Sequence, residues 1–137
     1  MSRYGPAAAW MGLIFFLSSQ SALPSAPDAL VDTVVKKTGH VAGYAVLMIL
    51  LLRATQPAEP QPAEPPKEAD VPPTPRQFWI SFAILLAYAL SDEIHQSFVP
   101  GRTPNWIDAL GFDALGGLIG ALIWRVYSKF VATHATE

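Results

Sequence analysis

Residues 92–113 read DEIHQSFVPGRTPNWIDALGFD. The stretch gathers Asp92, Glu93, His95, Arg102, Asp108 and Asp113, yet it lies between two of the most apolar runs of the chain, residues 78–90 and 114–124. Charge held between greasy segments is costly in a lipid setting, so such residues are functional-site candidates by default. In its middle, Val99-Pro100-Gly101-Arg102 places proline and glycine where a type II turn wants them. The flanking segments, residues 78–99 and 106–127, therefore read as an antiparallel helical hairpin. Thr103 before Pro104, or Asn105 with Asp108 three residues on, can cap its second arm. Arg125 and Lys129 close that arm with positive charge.

Working back towards the N-terminus, residues 54–77 are a linker, with a proline-rich insertion at 55–76 and a tandem QPAEP repeat at 56–65. Proline removes backbone donors and the acidic side chains have almost nothing to bury, so an extended, polyproline-like or disordered spacer is expected. Residues 38–53 form a second apolar segment, in which Gly39 and Gly43 make a G-x-x-x-G pair that permits close helix approach. Residues 24–37 read as a short helix lying at the membrane interface, beginning at Pro27 with Ser25 as its better cap and Asp28 in its first turn. Residues 4–19 form the first apolar segment. A cleaved signal peptide competes with a retained anchor there, given the basic start and the small residues near Ser21 and Ala22. Several later apolar segments favour the anchor.

Hydrophobic residues make up 51% of the 137 and charged residues only 15%, well below the roughly 25% of soluble domains. The net charge of −2 gives no footprint for nucleic acid. No cysteine is present, which excludes disulfides, thiolate metal sites and a cysteine nucleophile. His40, His95 and His134 match no zinc spacing, and neither a metal nor a cofactor is expected.

The first, third and fourth segments are apolar on every helical face. One such helix can hide inside a soluble protein, but several in so short a chain leave nothing to cover them. The expected fold is all-α: a four-helix transmembrane bundle in one domain spanning residues 1–137, with the interfacial helix before helix two and the proline-rich loop after it. An even number of spans puts both termini on one side. That side carries Arg3, Arg53, Lys67, Arg76, Arg125 and Lys129, against Lys36, Lys37 and Arg102 opposite. The basic excess predicts cytoplasmic termini and a cytoplasmic linker. Ser18, Ser19, Gln20, Lys37, His40, Asp92, Glu93, His95, Gln96, Arg102, Asp108 and Asp113 then all fall at the outer membrane face.

Glu93 and Gln96 share a helical face, and Asp113 shares one with Gly116 and Gly120, a second G-x-x-x-G pair. Asp113 should point into a close helix contact, with Lys37, His40 and Arg102 as available partners. Asp108 fits a helix cap, Asp92 and His95 a solvated helix end, and Trp79, Trp106, Trp124 and Tyr127 an interfacial belt. Two chemistries fit the cluster. Lys37 and Arg102 can hold a headgroup phosphate, the arginine in bidentate fashion. Glu93, Asp113 and His40 can do acid–base work on such a headgroup, as a membrane hydrolase or transferase would. Alternatively, the charges neutralise one another and lock a structural scaffold. Whether the protein is an enzyme is left open by these residues.

Lys37-x-x-His40, Glu93-x-x-Gln96-x-Phe98-x-Pro100-Gly101-Arg102, Asp108 and Asp113-x-x-Gly116-x-x-x-Gly120 together resemble the VanZ-like family. The E-x-x-Q-x-F-x-P-G-R string is the specific part, and the resemblance covers nearly the whole chain apart from the linker. Members are small polytopic bacterial membrane proteins, and the founding member is an accessory to resistance against teicoplanin-type glycopeptides. The resemblance implies a bacterial inner-membrane protein with an envelope role. Its expected partners are membrane lipids, a lipid-linked cell-wall precursor or a glycopeptide. It implies a ligand site at Lys37, His40, Glu93, Gln96, Arg102, Asp108 and Asp113. Two positions depart from the family pattern: Lys36 stands where the family often has Asp, and Asp113 where it often has Asn.

Overall fold

A computed structural model describes residues 3–21, 28–56, 72–102 and 105–134, apart from the side chains of Asp108 and Ala109. These residues form helices α1 (Gly5–Ser18), α2 (Ala29–Ala54), α3 (Pro75–Gln96), a short α4 (Trp106–Asp108), a π-helical turn (Ala109–Asp113) and α5 (Ala114–His134). The repeat-containing part of the linker, where a polyproline-like spacer was expected, falls at residues 57–71, outside the described residues.

Helix α2 is the centre of the bundle. Tyr44, Leu47, Met48, Leu51 and Leu52 are buried against Leu85 and Ala89 of α3 and Ala121 and Trp124 of α5. Its 26 residues run unbroken, so among the described residues no separate interfacial helix precedes it. The reason is local. No proline occurs between 28 and 54, and Asp28 itself is the cap, its carboxylate accepting from Leu30 N at 2.8 Å and Val31 N at 3.1 Å. Asp32 and Lys36 then pair one turn apart at 2.6 Å. The expected cap at Ser25 lies outside the described residues.

Helix α3 begins earlier than the apolar run, at Pro75. Thr74 Oγ1 accepts from Gln77 N, and Gln77 Oε1 accepts from Thr74 N, which makes a reciprocal capping box ahead of a first-turn proline. The hydroxyls of Thr55 and Ser81 meet at 3.0 Å and tie the end of α2 to the start of α3. Helices α2, α3 and the stretch from Leu110 to His134 are each long and apolar enough to cross a membrane. Helix α1 is apolar but has 14 residues, about 21 Å at roughly 1.5 Å per residue. It ends because Ser19 Oγ and Gln20 Nε2 turn back onto the carbonyls of Phe15 and Phe16.

Among the described helices, α2 and α5 share the most extensive contact. A Cβ built on Gly120 would overlap the Ala45 backbone, and one on Gly116 would overlap the carbonyl of Val41. The row Gly116, Gly120, Trp124, Ser128 is buried at four-residue spacing. Trp124 is therefore core rather than belt, whereas Trp79, Trp106 and Tyr127 are exposed. The other glycine pair behaves differently: a Cβ on Gly39 or Gly43 would meet nothing within 4 Å. Small residues permit close approach without compelling it. At the hairpin, Arg102 N donates to Val99 O at 3.1 Å and Gly101 has φ of 81°, the left-handed geometry a type II turn assigns to glycine.

Candidate functional site

The end of α1, the end of α3 and the π-helical turn meet beside α2, and the ionisable residues meet with them. Three carboxylates are almost wholly withdrawn from solvent there: Asp92 and Glu93 are 3% exposed and Asp113 is 1% exposed. A buried carboxylate must find donors or a counter-charge, and each has done so differently.

Asp113 closes the π-helical turn, and its Oδ1 lies 2.9 Å from His40 Nδ1 of α2. The Gly116/Gly120 contact is what brings α2 near enough for this pairing. Asp92 Oδ2 accepts from Ser18 Oγ at 2.7 Å and from Gln96 Nε2 at 2.9 Å. Its Oδ1 is buried without a hydrogen-bond partner among the described residues. Glu93 Oε2 accepts from Asn105 N at 2.6 Å, which joins α3 to the start of the next helix. Asn105 Oδ1 accepts in turn from Ile107 N at 3.1 Å, so Asn105 provides the cap. Asp108, the alternative cap and site candidate, has its side chain outside the described residues.

The cations sit around these acids. Arg102 donates through Nε to Gln20 O at 3.1 Å and through Nη2 to Leu17 O at 3.3 Å. It thereby ties the end of α1 to the hairpin turn rather than pairing with Asp113. Lys37 Nζ lies 4.3 Å from the centroid of the Phe112 ring, a cation–π contact. His95 is not a solvated helix end either: it stacks on Phe15 at 4.0 Å, with Nε2 3.0 Å from Ser19 Oγ.

A cavity of about 370 Å³ opens over this group, lined among others by Lys36, Lys37, His40, Glu93, Gln96 and Arg102. Of the expected site residues, Lys37, His40, Glu93, Gln96 and Arg102 thus line one space, with Asp113 behind His40. Ser18 and Asp92 were expected at the same membrane face, but not paired with each other. The signal was present in Gln96, which lies four residues from Asp92 as well as three from Glu93, and which takes the four-residue partner. Chemically, the lining offers three cations, Lys36, Lys37 and Arg102, beside one carboxylate, Glu93, with Lys36 also paired to Asp32. Such a rim can receive a bound anion through charge-assisted hydrogen bonds.

Fold and site together define a small helical membrane protein with a charge-lined recess at one end of its bundle. A family model described as VanZ/LLP1 matches residues 5–128, nearly the whole chain, and the protein belongs to that family. No curated protein and no solved structure matches it.

Proposed function

We propose that the recess binds the anionic headgroup of an envelope lipid or lipid-linked cell-wall precursor, and that the protein alters glycopeptide sensitivity through that binding. The recess would face outwards from the bacterial inner membrane, with both chain termini in the cytoplasm. The observation behind this reading is the cavity in which Lys36, Lys37, His40 and Arg102 converge beside Glu93. The orientation rests on the distribution of basic residues between the two ends of the bundle.

Lys37→Gln is the cleanest test, because Arg102 also holds α1. Removing one cation near a charged headgroup is worth about 1 kcal/mol, so anionic lipid retained by the purified protein should fall about fivefold. Membrane abundance should stay constant, and lipid mass spectrometry reads the result. Unchanged lipid would leave the charges as internal staples of a scaffold. The orientation is checked separately. Phe98 is 79% exposed beside the hairpin turn, so Phe98→Cys in this cysteine-free chain should react with an impermeant maleimide added outside intact spheroplasts. Labelling only after lysis would invert the topology.

A second reading is favoured by the His40–Asp113 pair. A histidine oriented through Nδ1 by a buried carboxylate, lining a cavity with Glu93, has the form of an acid–base group. It requires product from the same purified preparations given phospholipid or lipid-linked precursor. Binding without turnover across that panel would leave the headgroup-binding reading alone.

A further inference from the structure

We infer that the ligand of the polar cavity is a complete anionic lipid, its hydrocarbon chain lying in the groove between α1 and α2. This rests on the headgroup reading above and adds the tail to it.

A second, larger space of about 660 Å³ runs between these helices, faced by Leu13, Ile14 and Leu17 on one wall and Gly39, Gly43 and Val46 on the other. It is not a separate site. Lys36, His40 and Arg102 line both it and the polar cavity, so an apolar trough leads directly into a cationic end. That pairing is the chemical signature of an amphiphile with an anionic head.

The groove is held open. Trp10 Nε1 donates to Gly43 O at 2.9 Å at one level, and Arg102 holds the carbonyls of Leu17 and Gln20 at another. Along α2, Gly39 and Gly43 place no side chain in the gap, and a Cβ added to either would meet nothing within 4 Å. The same glycine spacing on α5 is closed tightly against α2, so the opening on the α1 side is a property of this interface. Because lipid tails are as apolar as the groove wall, the trough adds little hydrophobic drive. Its contribution is room: it lets the head reach the cations while the tail stays in hydrocarbon.

The test uses the full chain in nanodiscs of phosphatidylcholine containing a minority of phosphatidylglycerol, with native mass spectrometry of the lipid retained. Gly39→Leu fills the trough without meeting any described atom at its Cβ, and leucine is the better helix former. Gly43→Leu does the same one turn away, which guards against a single misfolded variant. The wild type should retain phosphatidylglycerol in preference to phosphatidylcholine. Either trough-filling variant should reduce that retention about tenfold while unfolding no earlier than wild type on heating. Loss in Lys37→Gln but not in the leucine variants would overturn the tail assignment and leave headgroup binding standing. No preference for phosphatidylglycerol in the wild type would overturn both. A change in oligomer mass in the leucine variants with lipid retained would assign the trough to a second copy of the chain and reject a tail there.

Discussion

Gly120→Ala should lower the stability of the protein by roughly 1–3 kcal/mol, as overpacking of a closed interface does. In an isolated helix the same change would be favourable by about 1 kcal/mol, because alanine is the better helix former. Packing reverses the sign. The added methyl has to occupy space already filled by the Ala45 backbone, and backbone cannot move aside as a flexible side chain can. Separating α5 from α2 to make room also pulls Asp113 from His40, so the recess loosens with the helix contact. Gly43→Ala is the internal control. Its Cβ would meet nothing within 4 Å, so the helix-propensity gain should survive. Thermal unfolding in detergent, with membrane abundance as a second readout, checks the pair. Equal melting temperatures for the two variants would refute the packing account.

His40→Ala should be more damaging than Asp113→Ala, although both remove the same contact. The Asp113 side chain is 2% exposed and that of His40 is 31% exposed. Without the imidazole, a carboxylate with little access to water loses a hydrogen-bond partner, a cost of roughly 1–3 kcal/mol for a buried polar group. Without the carboxylate, the imidazole can still be hydrated from the cavity it lines. The double variant should recover part of the loss, with a coupling energy of roughly 1–3 kcal/mol between directly contacting groups. Additive losses in a double-mutant cycle would mean that the 2.9 Å contact contributes nothing of its own.

Much of this architecture was legible before any coordinates. Apolar runs with proline and glycine between them marked the helices and the hairpin, because those signals are local, although α2 takes in most of the stretch read as a separate interfacial helix. The Gly116/Gly120 face pointed Asp113 into a helix contact, as observed. What was not legible depended on which neighbour each face would meet. Gly39 and Gly43 have the spacing of Gly116 and Gly120, yet a Cβ on either would meet nothing within 4 Å, and spacing alone carries no information about the opposing helix. Asp92 looked hydrated at a helix end because its donor, Ser18, lies on another helix far off in sequence. Arg102 looked like a phosphate ligand, yet its guanidinium also ties down the end of α1, a task invisible until that end is placed beside the hairpin. The early start of α3 was readable from Thr74, Pro75 and Gln77, but the surrounding prolines masked the cap.

The π-helical turn at Ala109–Asp113 works as a phase shifter. It accommodates one residue more than the surrounding α-helix would, which resets the rotation between the segment before it and the segment after it. Deleting any one residue there would let ordinary helical bonds form throughout. The upstream turn would then swing by about 100° relative to Gly116 and Gly120, carrying the Asn105 amide off Glu93. A relative one residue shorter across Ala109–Phe112 would keep every ionisable group and still aim them differently.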